Sequence, residues 1–120
     1  MKADNYTELF VWQKGMALVK EVYRLSRAFP ADEKFGLFSQ MRRAAVSVPS
    51  NIAEGQARHT TGEFVQFVSH AEGSVAELDT QMIVSVELGY RTLAQVQEAF
   101  ELISELRRML NALRRRLLTR

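Results

Sequence analysis

The chain contains no cysteine, which excludes disulfides and thiolate metal sites and fits a reducing compartment. Two prolines and six glycines in 120 residues leave long stretches free to be helical. Histidine is as scarce as proline. His59 falls in a break between helical blocks, and neither it nor His70 has a glutamate three positions before it. Di-metal bundles need inward-facing Glu-x-x-His pairs, so no zinc or di-iron centre and no cofactor is expected. There is no run of 18 apolar residues, so no membrane-spanning helix is expected. The opening MKADNYTELF lacks the basic, apolar, small order of a signal peptide, which points to the cytoplasm. No glycine-rich phosphate loop or nucleophile elbow surrounds any serine. Glu77 and Asp79 are two apart and so lie on different faces of a helix. These absences describe a protein that is not an enzyme and takes no small-molecule substrate.

What remains is 47% apolar, enough for a core, and its apolar residues recur at helical spacing in four blocks. The first runs from about Leu9 to Arg27, with Thr7 as its N-cap, and ends at Phe29-Pro30 because the residue before proline is pushed out of the α region. Gly15 inside it marks a close helix contact. The second runs from about Lys34–Leu37 to Ala57 with Pro49 inside. The apolar spacing continues through the proline, so one helix kinked at Pro49 is expected rather than two. Thr60-x-x-Glu63 has the form of a capping box and opens a third block that runs to about Leu88, with Gly89 as its C-terminal cap. Thr92-x-x-Gln95 repeats the form and opens the last block, about Leu93 to Leu118. Four amphipathic helices joined by short connections predict an all-α single domain over residues 1–120, an antiparallel up-down-up-down four-helix bundle.

Charge is segregated. Residues 1–106 hold 10 Lys/Arg and 14 Asp/Glu, a balance of −4, whereas residues 107–120 hold six arginines and no acid, a balance of +6. On a helical wheel Arg107, Arg108, Arg114 and Arg115 share a sector of about 120°, beside the stripe of Leu106, Leu110, Leu113 and Leu117. Arg116 and Arg120 carry the charge round the helix end. Basic residues at a helix C-terminus are favoured by the macrodipole, but six without an acid exceed that need. Such a face can engage phosphates, which predicts nucleic-acid binding that is salt-sensitive and largely sequence-independent. The bland alternative is a solvated or subunit-lining face. No aromatic interleaves these arginines, so a base-stacking platform is not expected. The second helix carries a polar stripe of Gln40, Arg43, Ser47, Ser50, Asn51 and Glu54 beside its apolar sector. Its small hydroxyls and single charges suggest a hydrogen-bonded structural seam against a neighbouring helix or subunit. Gly73 and Ser74 would form the matching small patch, and Glu72 or Glu77 the partner of Arg43.

Several stretches together resemble the 23S rRNA intervening-sequence protein family. They are Val11-Trp12-Gln13-Lys14, Phe29-Pro30 with Glu33, Gly36-Leu37, Ser39 to Ala44, Ser47 to Gly55, Phe64 with Phe67, Ala71 with Gly73-Ser74, Glu77-Leu78 with Thr80-Gln81, Leu88-Gly89-Tyr90 and Met109-Leu110. The resemblance covers nearly the whole chain. It implies a bacterial four-helix bundle that assembles into homopentameric rings. It also implies a likeness to the accessory variability protein of diversity-generating retroelements, a basic pentamer that binds nucleic acid and a reverse transcriptase. No catalytic residues belong to that pattern. The expected role is an oligomer that binds RNA or DNA, structured RNA first, through Arg107, Arg108, Arg114, Arg115 and Arg116, with Arg42 secondary. The alternative is a protein–protein scaffold with no nucleic-acid ligand.

Overall fold

Four α-helices account for most of residues 5–120, the part of the chain that the computed structural model describes. They are α1 (Phe10–Ser26), α2 (Leu37–Gln56), α3 (Thr61–Glu87) and α4 (Leu93–Leu118), and no strand occurs among the described residues. The reading of the N-terminal decapeptide falls in part on residues 1–4, which lie outside the described residues.

The helix ends follow local chemistry, with one correction. Thr7 does not cap α1. A short 3₁₀ turn, Tyr6–Glu8, comes first, and Asn5 caps that turn by accepting from the Thr7 backbone N–H at 2.9 Å. The helix starts behind Leu9, which brings no capping side chain. At the other end the Arg91 guanidinium donates twice to the Leu25 carbonyl, at 2.6 and 3.1 Å, and so satisfies an orphan acceptor of α1. Thr60 accepts from the Glu63 N–H to open α3. Gly89, at φ +77°, closes α3 in a Schellman arrangement, with Gly89 N–H donating to Val86 and Tyr90 N–H to Ser85. Thr92 and Gln95 form a complete, reciprocal capping box on α4.

A second 3₁₀ turn, Ala31–Glu33, leads into α2 and brings Glu33 to its start. Gly36 has no side chain to cap α2, and Glu33 serves instead: its carboxylate accepts from the Leu37 N–H at 3.0 Å and from the Tyr90 hydroxyl. Those two bonds, Tyr90 first, hold the Glu33 carboxyl below its ordinary range and push the Tyr90 hydroxyl up. A lowered folded-state carboxyl pKa contributes stability that is present above the unfolded value and lost as pH falls through the folded one. Glu33→Gln should therefore flatten the acid limb of the protein's melting-temperature profile, read by circular dichroism below the ordinary glutamate range. An unchanged slope would remove Glu33 from the acid response.

The helices enclose one apolar core in which Leu18, Met41, Ile52, Leu78, Met82 and Leu106 are without solvent exposure. Successive helices pack on one another, and α1 packs on α4. Small residues set the closest approaches. Pro49 lies inside a continuous α2 and is buried, where a Cβ on Gly15 would meet its ring at 3.5 Å. Gly55 is tighter, since a Cβ there would lie 2.8 Å from Phe64 Cδ1 and 2.9 Å from Phe67 Cβ. Gly73 is the reverse: it is exposed, with open space where a Cβ would go. It is not part of a close contact within the protomer, whereas Ser74 is, through its hydroxyl contact with Ser47.

Candidate nucleic-acid interface

The six C-terminal arginines do not form one equivalent face. Arg107 turns toward α3 and pairs with Asp79 at 2.9 Å. Arg114 does the same one level along the helix pair. Its Nε lies 3.1 Å from Glu72 Oε1, close enough for the charges but too poorly aligned for a hydrogen bond. Its Nη2 donates to Asn111 at 2.9 Å. The acids of α3 thus partly neutralise two of the four arginines that share the wheel sector. Arg108 donates only to the Ser104 hydroxyl, at 2.9 Å. Arg115, Arg116 and Arg120 are exposed and form no ion pair among the described residues. The unpaired positive charge therefore belongs to Arg108, Arg115, Arg116 and Arg120. Exposed pairs such as Arg107–Asp79 contribute less than about 1 kcal/mol, so they are weak competitors for a phosphate.

Arg42 stands on α2, against α1. Its guanidinium is sandwiched between the Tyr23 ring, 4.2 Å from its centroid, and the Phe38 ring, at 3.8 Å. Its Nε donates to the Ser26 hydroxyl at 2.9 Å and its Nη2 to the Tyr23 carbonyl at 3.4 Å. Both faces of the group and its Nε–Nη2 edge are engaged within the chain, so it joins α2 to the C-terminal part of α1. The sequence carried a partial signal of this, because Tyr23 and Ser26 are three apart and present one face of α1.

The α2 stripe divides. Ser47 and Asn51 are bonded within the protomer: the Ser47 hydroxyl donates to the Ala44 carbonyl and meets the Ser74 hydroxyl, and the Asn51 amide donates to the Ser47 carbonyl at 2.7 Å. Gln40, Arg43 and Glu54 are exposed. Glu54 has only a loose contact with Arg58, at 3.9 Å. Neither acid proposed for Arg43 pairs with it. Glu72 lies against Arg114, and Glu77 accepts from the Gln81 amide at 3.2 Å while sharing a shallow hollow with Gln40, Arg43 and Ser47. Next to that hollow, α3 exposes Gly73, Ala76, Thr80, Ile83 and Val84, with few charges for an outward face.

One juxtaposition had no signal in the chain's local pattern. Phe10, on the first turn of α1, is 77% exposed, and it lines a groove of about 570 Å³ with Leu9, Met109, Leu113 and Arg116. An aromatic ring thus stands beside the arginine cluster although none interleaves it in sequence.

The chemistry available here is electrostatic. Among the described residues no group of His, Cys, Asp or Glu side chains is placed to hold a metal, and no helix is long and apolar enough to cross a membrane. His59 is exposed beyond the end of α2, and His70 is exposed on α3 with its ring 5.9 Å from that of Phe67. In comparison with known proteins, a family model described as 23S rRNA-intervening sequence protein matches residues 7–112. That match includes Phe10, Arg107 and Arg108 and closes before Arg114. No curated protein matches the chain.

Proposed function

Because the chain belongs to the 23S rRNA-intervening sequence protein family, we propose that it is a non-enzymatic, oligomeric bundle that binds nucleic-acid phosphates, structured RNA first, through the free end of α4. The observation that carries this reading is the set of guanidinium groups on Arg108, Arg115, Arg116 and Arg120, which form no ion pair among the described residues. Arg107 and Arg114 join when a phosphate displaces Asp79 or Glu72. An antiparallel up-down-up-down arrangement fits the contact register, in which Gly15 faces Pro49 while Ser26 faces Arg42, and Asp79 faces Arg107 while Glu72 faces Arg114. A bend of α2 at Pro49 fits the loss of one backbone donor there.

Assembly, as a homopentamer in the cytoplasm of a bacterium, belongs to the same proposal. The α2–α3 face supports it: Arg43 forms no ion pair among the described residues, and beside its hollow α3 exposes the small or apolar Gly73, Ala76, Ile83 and Val84. Several copies in one ring would bring a weak patch to useful affinity through avidity.

The test is a salt-titrated binding assay of the full chain on a labelled RNA hairpin. Affinity should fall linearly on a log–log scale between about 50 and 200 mM salt, with a slope that grows by about 0.7–0.9 for each phosphate engaged. The Arg108→Ala/Arg115→Ala/Arg116→Ala variant should lose about tenfold or more in affinity and flatten that slope by about 2. No binding by the wild type at low salt would overturn the nucleic-acid reading. Equal binding by the variant would overturn the site. If the variant instead changes mass in light scattering, its arginines serve a subunit contact, and the chain is a protein scaffold.

A further inference from the structure

The Phe10 groove adds a second kind of recognition to the arginine cluster. In α1 the core-facing residues Val11, Leu18, Val22 and Leu25 form one stripe, and Phe10 lies about 100° round the helix from Val11. Its exposure is therefore not a by-product of core packing. The groove it borders has an apolar floor from Leu9, Met109 and Leu113, with Met109, Leu113 and Arg116 on one face of α4 at steps of four and three residues. Arg116 forms the cationic wall, and Arg115 and Arg120 stand close to it on the same helix end. Glu8 lines the groove too, so negative charge is favoured only on the α4 side.

An apolar slot bordered by the Phe10 ring and the Arg116 guanidinium matches a ligand that carries an apolar, flat group next to an anion. A nucleotide has that composition. We propose that the groove receives one unpaired base of a bound nucleic acid, stacked on the Phe10 ring, while Arg116 holds the neighbouring phosphate. This rests on the phosphate-binding reading of α4 and narrows its ligand. A continuous duplex keeps its bases inside and can use only the arginines, whereas a loop, a bulge or a single-stranded end can use both. Stacking tolerates any base, so the preference is for unpaired nucleotides and not for a sequence. Charge and shape together select this occupant: the apolar floor takes the flat base, and the exposed arginines at the end of α4 take the phosphate that follows it.

The experiment compares Phe10→Ala, Phe10→Leu and Phe10→Trp with wild type on two RNAs of equal length, an unstructured strand and a blunt duplex. The expected result is a loss of about tenfold on the single strand for Ala and Leu, within the range one stacked base contributes. Trp should retain the affinity, and none of the three should change duplex binding. An Ala variant with wild-type single-strand affinity overturns the groove while the phosphate reading stands. So does an equal loss on strand and duplex, or a change of oligomer mass, which would make the groove a subunit contact. Failure of the wild type to bind either RNA overturns the underlying reading instead. The ring is exposed, so all three variants are expected to fold, and Leu retains apolar bulk while removing only the aromatic face.

Discussion

Replacing Arg42 with Ala should lower the unfolding free energy by about 2–4 kcal/mol and leave the RNA affinity of the folded protein unchanged. The first part follows from what the guanidinium touches: two aromatic rings, at 3.8 and 4.2 Å from their centroids, plus the Ser26 hydroxyl and the Tyr23 carbonyl. Hydrogen bonds to a charged group contribute about 1.5–3 kcal/mol, and a partly desolvated cation–π contact about 0.5–2. The sum is discounted because the residue is only half-buried. Arg42→Lys should recover little, because an ammonium cannot fill a planar slot between two rings. Denaturant titration measures the first effect, and binding at a temperature where the variant is folded measures the second. A stable variant with weakened RNA binding would return Arg42 to the phosphate contacts.

The second large effect is at Gly55. Gly55→Val should cost about 3 kcal/mol or more, because even a Cβ would sit 2.8 Å from Phe64 Cδ1 and 2.9 Å from Phe67 Cβ, and a branched side chain adds to that. Both obstacles are on α3, one turn apart, so moving one ring does not clear the other. The gain in helix propensity from glycine to valine, about 0.4 kcal/mol, is too small to offset the clash. Gly73→Ala is the matched control. It lies in mid-helix with open space around it, so alanine should stabilise the protomer by roughly 0.5–1 kcal/mol. Thermal melts of the two variants should move in opposite directions. Equal destabilisation by Gly55→Val and Gly73→Ala would contradict the packing account. Loss of assembly by Gly73→Ala with a stable protomer would put the α2–α3 face at a subunit contact.

Legibility varied with the range of the interaction. The capping motifs at Thr60 and Thr92 and the stop at Gly89 were readable because every atom involved lies within five residues. The start of α1 was misplaced on Thr7 because Asn5 offers a competing cap to a 3₁₀ turn just upstream. Glu33 showed no sign of its function. It caps α2 from outside the helix, and its second bond comes from Tyr90, which follows α3. Glu72 was offered to Arg43 because helical periodicity fixes which residues share a face, not the height at which two helices meet, whereas Glu77 does share a hollow with Arg43 but forms no ion pair with it. That height gave Glu72 to Arg114 and Asp79 to Arg107.

By itself the sequence determined the fold class, the four helices, their ends to within a few residues and the excess of positive charge in the last fourteen positions. Periodicity, capping and net charge are local or additive quantities, so a linear chain displays them. Only the tertiary structure decided which arginines keep their charge free. The same placement locked Arg42 between two rings, left open space beside Gly73, and set Phe10 beside Arg116 from the other end of the chain. Each of these depends on the rotation and axial shift of one helix against its neighbour. Those are set by the cooperative packing of the whole core, in which a residue such as Gly15 or Gly55 matters for what stands opposite it.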